Sequence, residues 1–109
     1  MSVNDYLLIL RKILVKNRSV VKESYKYYKV YLPSDFNQLW NVVYEERRKV
    51  DIIVFLPRSI SNVDKILMMN RNLSRENNRF KIYLDKRYND IWESIYRSHE
   101  KVDLIIVLR

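Results

Sequence analysis

Two kinds of hydrophobic spacing alternate along this chain. Phe36, Leu39, Trp40, Val43 and Tyr44 recur at steps of three and four, which places them on one stripe of a helix from about Asp35 to Arg48. Tyr88, Ile91, Trp92, Ile95 and Tyr96 repeat that stripe. Ser34, after Pro33, and Asp85 in the second copy stand where a side-chain oxygen accepts hydrogen bonds from the free amides of a first helical turn. After each stripe comes an unbroken apolar run, Asp51-Ile-Ile-Val-Phe-Leu56 and Asp103-Leu-Ile-Ile-Val-Leu108. Such runs predict strands covered on both faces, and hence the central strands of a sheet. The shorter Lys29-Val-Tyr-Leu32 and Lys81-Ile-Tyr-Leu84 predict a further strand ahead of each helix.

These paired patterns belong to an internal duplication. From Lys29–Leu56 to Lys81–Leu108, at an offset of 52, eleven of 28 aligned positions are identical, among them Asn37/Asn89, Trp40/Trp92, Tyr44/Tyr96 and Asp51/Asp103. Strand, helix and strand in about 28 residues are the size of a right-handed parallel crossover. Ser2-Val-Asn-Asp5 and Ser61-Asn-Val-Asp64 each open an apolar stretch in the manner of an acidic capping box, which predicts lead helices at about Val3 to Lys16 and Asn62 to Arg75. A connector at about residues 17 to 26 lengthens the first copy, with room for a strand near Ser19 to Val21. The expected fold is α/β: one compact domain of two tandem α-β-α-β repeats, at about residues 2–57 and 61–109. Its four-stranded, largely parallel sheet is packed with helices about an internal pseudo-two-fold.

Composition narrows the chemistry. The chain has 109 residues, 48% of them hydrophobic, enough for one core. No apolar run nears the roughly 20 residues of a spanning helix, and Asp5 sits where a secretory leader would be basic, so a soluble cytoplasmic protein with no membrane partner is expected. Cysteine is absent, which excludes disulfides, zinc-thiolate sites and thiol nucleophiles. Glycine is absent too, and with it the phosphate-binding loops that need positive φ and close backbone approach. Left-handed positions must then fall to asparagine, and Asn17 and Asn77-Asn78 stand where the lead helices should stop. Ten asparagines beside many lysines and tyrosines suit the AT-rich coding of a virus or plasmid. No catalytic residue, metal ligand or cofactor is assigned.

Charge is the one functional signal of any size. The net +8 is concentrated in two equivalent stretches. Arg11, Lys12, Lys16, Arg18, Lys22, Lys26 and Lys29 face Glu23 alone, while Lys65, Arg71, Arg75, Arg79 and Lys81 face Glu76 alone. Each cation set against a phosphate releases condensed counterions. Tyr25, Tyr27 and Tyr28 interleave with the lysines and offer rings for unpaired bases. The pattern predicts a non-enzymatic protein that binds DNA or RNA through duplicated basic surfaces. Two other readings stay open: an inhibitor or adaptor that docks an acidic protein, and a solvated surface whose cations favour helix ends while its tyrosines pack.

A second site follows from the expected topology, since ligands of open parallel sheets sit beyond the strand carboxyl ends. Arg58, Lys86, Arg87 and Arg109 would gather there as an anion clamp. Asp51 and Asp103 are duplicated, and as a symmetric carboxylate pair they define a remote alternative, a metal-dependent nuclease. A structural role suits them better, because each follows a lysine. His99 is the only histidine and aligns with Arg47, so it drops out. Tyr6 to Leu10, Ile13 and Leu14, and then Ile66 to Met69, cover more than one face of a helix, which predicts a second partner and a homodimer.

Overall fold

The computed structural model describes residues 12–109. Within them one order of elements runs twice. It begins β1 (Lys12–Ser19), β2 (Val21–Ser24), β3 (Tyr27–Tyr31), α1 (Asn37–Glu45) and β4 (Val50–Phe55). It recurs as β5 (Lys65–Arg71), β6 (Ser74–Glu76), β7 (Arg79–Tyr83), α2 (Asn89–Ser98) and β8 (Lys101–Leu108). A 3-10 turn, Ser34–Phe36 or Lys86–Tyr88, leads into each helix. Asp85 caps the second turn, its carboxylate accepting from the Arg87 amide at 3.0 Å, whereas Ser34 lies inside the first turn and caps nothing.

The strands form two four-stranded sheets, ordered β1-β8-β4-β5 and β2-β3-β7-β6, with every neighbouring pair antiparallel. This overturns the expected largely parallel α/β sheet. The crossover rule assumes that the strands flanking a helix return to one sheet. Here β3 enters the second sheet and β4 the first, so each helix carries the chain between layers.

The lead helices are corrected as well. Asn62 to Arg75 holds β5 and the start of β6, and the described part of Val3 to Lys16 belongs to β1, the remainder lying outside the described residues. Ile13, Val15, Ile66 and Met68 point into the core, while Leu14, Leu67 and Met69 point outward. A strand apolar on both faces reads in one dimension like a helix apolar around its girth. What selects the strand is hydrogen bonding: β8 and β4 need partners on their outer edges, and β1 and β5 supply them. The lead-ins also align without a gap, because Lys12–Glu23 and Lys65–Glu76 share six of twelve residues at an offset of 53.

The halves are related by a two-fold that exchanges strands. β1 of the first half borders β8 of the second, and β5 of the second borders β4 of the first. Ile53 faces Ile105 at the centre of one sheet and Val30 faces Ile82 at the centre of the other. The helices are exchanged too: Tyr44 of α1 meets Phe80 of β7 edge-on at 5.9 Å, and Tyr96 of α2 meets Tyr28 of β3 at 6.4 Å. One continuous apolar cluster results, with Trp40 and Trp92 wholly buried. Their indole N–H groups donate to the carbonyls of Pro33 (3.0 Å) and Asp85 (2.7 Å), pinning each strand–helix junction.

Among the described residues five adopt positive φ: Asn17, Asn70 and Asn77, with Arg47 and His99 at the ends of the two helices. Asn17 and Asn70 form equivalent bulges in the edge strands, where register shifts against β8 and β4. The free bulge amides donate to Asp103 and Asp51, each at 2.8 Å. No helix among the described residues is long and apolar enough to cross a membrane.

Candidate nucleic-acid interface

Alternation along β3 and β7 divides their side chains between two faces. Tyr28, Val30, Phe80 and Ile82 turn inward and are buried, so Tyr27, Lys29, Tyr31, Arg79, Lys81 and Tyr83 share the outward face of the second sheet. At its centre two lysines, two glutamates and two tyrosines form a symmetric network. Lys29 Nζ lies 3.0 Å from Glu23 and 3.5 Å from Glu76, and Lys81 Nζ lies 3.1 Å from Glu76 and 3.2 Å from Glu23. The Tyr31 hydroxyl donates to Glu76 at 2.8 Å, and the Tyr83 hydroxyl to Glu23 at 3.0 Å. Each ammonium also lies 5.0 Å from a ring centroid, Lys29 over Tyr31 and Lys81 over Tyr83.

These contacts fix the protonation states. The Tyr31 hydroxyl, then the Lys81 ammonium, brings the Glu76 carboxyl down to about 2. Lys29, then the Tyr83 hydroxyl, lowers Glu23. The Tyr83 hydroxyl raises Lys81 against the opposing effect of burial, with both glutamates adding to it. The centre therefore holds two positive and two negative charges, and its lysine side chains are only 7% and 8% exposed. Lys29 and Lys81 are spent inside the protein.

The rim carries the accessible groups. Tyr25 and Tyr27 are 76% and 41% exposed. Lys26 lies 5.3 Å from the Tyr25 ring centroid, Lys86 lies 4.1 Å from that of Tyr27, and the Arg79 guanidinium stacks 3.5 Å from that of Tyr31. Lys86, by its hydrogen bond, also lowers the pKa of Tyr27. Tyr27 and Tyr83 meet edge-on at 6.3 Å beside an open cavity of about 530 Å³, which Lys86, Arg71 and Glu23 help to line.

The other basic residues scatter. Lys12 and Lys16 are exposed on β1 in the first sheet, and Arg18 reaches back to the Lys16 carbonyl. Lys22 pairs with Glu93 at 3.0 Å, Arg71 with Asp85 at 3.0 Å, and Arg75 with Glu45 at 3.5 Å. Arg11 lies outside the described residues. The anion clamp does not assemble: β4 and β8 run antiparallel, so Arg58 and Arg109 leave opposite ends of the first sheet. Arg87 is held by Asp85 at 2.8 Å and Arg109 by Asp51 at 2.9 Å. Lys86 alone of that set joins the tyrosine face.

Asp51 and Asp103 sit opposite Val107 and Phe55, four residues apart along the ladder, or roughly 13 Å. That separation rules out a shared ion, and no cluster of three metal-ligating side chains exists among the described residues. Sequence reasoning passed over Tyr31 and Tyr83 as binding residues, although the period of two in Tyr27, Lys29 and Tyr31 was there to be read once a strand was assigned. Comparison with protein-family models, with curated proteins and with solved structures finds no match to this chain.

Proposed function

We propose that this protein binds single-stranded nucleic acid, DNA or RNA, across the outward face of its second sheet, without catalysis. One observation carries the reading: exposed tyrosine rings lie on an antiparallel sheet whose central charges cancel, while Lys26, Arg79 and Lys86 at its edge pair with no carboxylate among the described residues. Bases stack on such rings whatever their identity, and cations at the rim follow the phosphates. Unpaired strands suit the site better than a duplex, because stacking on exposed rings needs bases that are free of a partner strand.

The test is a salt series on single-stranded DNA, single-stranded RNA and duplex DNA with the full chain. Single strands should bind more tightly than duplex, with affinity falling steeply as salt rises. Tyr27→Ala and Tyr25→Ala should each weaken binding by about 1 to 3 kcal/mol. Arg79→Ala should lower the salt slope by about one. Binding that falls with salt yet ignores both tyrosines would instead give the face to an acidic protein, and absence of binding at low salt would remove the proposal.

A further inference from the structure

The two-fold that relates the halves is broken around the open cavity of about 530 Å³ beside Tyr27 and Tyr83. In the duplication Tyr27, Asp85 and Lys86 correspond to Arg79, Pro33 and Ser34. The counterpart corner therefore lacks one of the two rings, the carboxylate and the lysine, and there Arg79 already stacks 3.5 Å from the Tyr31 centroid. At the cavity the Tyr27 and Tyr83 rings stand at 74° to each other, so a base that stacks on one meets the other edge-on, a favoured aromatic geometry. The Tyr83 hydroxyl is tied to Glu23 at 3.0 Å, which fixes that ring in advance. The volume is that of a small-molecule site, roughly 300 to 1,000 Å³.

We infer that this cavity holds the terminal nucleotide of a bound strand, one that ends in a phosphate monoester, with its base on the two tyrosines and its phosphate between Lys86 and Arg71. The inference rests on the single-strand reading above and adds an anchored end to it. Charge selects the monoester. Glu23 lines the cavity but belongs to the central network, where two lysines cancel two glutamates. Asp85 is shared by Arg71 at 3.0 Å and Arg87 at 2.8 Å, which leaves one positive charge. Lys86 pairs with no carboxylate among the described residues and adds a second. Two net positive charges match the near-dianion of a phosphate monoester at neutral pH, whereas a phosphodiester within a strand carries one negative charge. Arg71 has a donor to spare, because its Nε is buried with no hydrogen-bond partner among the described residues. Turning the guanidinium toward an anion forfeits nothing at that nitrogen, and guanidinium–phosphate contacts are among the stronger hydrogen bonds. Since the counterpart corner lacks this chemistry, the otherwise symmetric face gains a direction: the strand is held at Tyr27 and runs across the sheet toward Tyr31.

Short single-stranded oligonucleotides of one sequence, ending in a 5′-phosphate, a 3′-phosphate or hydroxyls only, test this by titration against the full chain. One of the two phosphorylated ends should bind at least about tenfold more tightly than the hydroxyl form, the worth of one charge-assisted hydrogen bond. Lys86→Gln, at an exposed position in the turn before α2, should erase that gain with an unchanged circular dichroism spectrum, and Lys86→Arg should keep it. Deoxyadenosine 5′-monophosphate should compete for the preferred end, and inorganic phosphate should compete at least about tenfold less well, because it brings no base to the rings. Equal binding of all three ends overturns the inference and leaves the single-strand reading in place. A gain that survives Lys86→Gln overturns it as well, by moving the phosphate elsewhere. Binding of the mononucleotide without any preference among strand ends also overturns it, by giving the cavity to a free nucleotide. Failure of every oligonucleotide to bind removes the single-strand reading and this inference with it.

Discussion

At Glu76 the Tyr31 hydroxyl and the Lys81 ammonium hold a carboxylate ionised down to about pH 2, and Glu23 is lowered in the same way by Lys29 and Tyr83. The folded state then carries fewer protons than the unfolded state between the ordinary glutamate value of 4.5 and about 2. A depressed acid contributes stability that is complete above 4.5 and is lost as the pH falls through that window. Urea midpoints measured from pH 6 to pH 2 should therefore decline, and Glu76→Gln should flatten the decline; parallel curves for the two proteins would contradict the network. Little of this was legible beforehand, because Glu23 and Glu76 are minority acids in basic stretches and their contacts reach across β2, β3, β7 and β6. The left-handed asparagines were legible. A chain without glycine must put asparagine at positive φ, and Asn17 and Asn77 are there, though in a bulge and a hairpin turn rather than at helix ends. Arg47 and His99 share positive φ at equivalent helix ends without sharing a residue type, so no side-chain pattern announced them.

Between elements, the duplicated aspartates act as clasps. Each accepts the stray amide of a bulge and so keeps β1 on β8 and β5 on β4 where the ladder slips by a residue. Asp51→Ala and Asp103→Ala should each cost about 1 to 2 kcal/mol, the loss of an acceptor from a charge-assisted hydrogen bond. Chemical denaturation measures it, and on the proposed function the nucleic-acid affinity without denaturant should not change. The tryptophan helices could be read from periodicity because a spacing of three and four has one geometric solution, and the long strands from short runs rich in β-branched residues. The lead-ins could not: three to five apolar residues in a row fit a helix as well as a strand, and only the unfilled edges of β4 and β8 decide between them. The same ambiguity hid the topology, since a strand–helix–strand spacing does not state which sheet each strand will join.

Over the whole molecule, the exchange of β1 and β5 makes each half incomplete. Residues 1–60 and 61–109 produced as separate chains should each lack the native circular dichroism spectrum as monomers and recover it on mixing in a 1:1 complex; a stable, native-like monomer of either half would refute the exchange. The exchange also sets a schedule for biosynthesis. Lys12 lies opposite Val107, and Val50 opposite Leu108, so the first sheet cannot close until β8 is made. Until then Ile13 and Val15, buried in the finished fold, have no partner strand, and β4 and β5 can pair only with each other. The interval before β8 is made, rather than the folded lifetime, is therefore when this chain leaves the most apolar surface uncovered and is most open to aggregation.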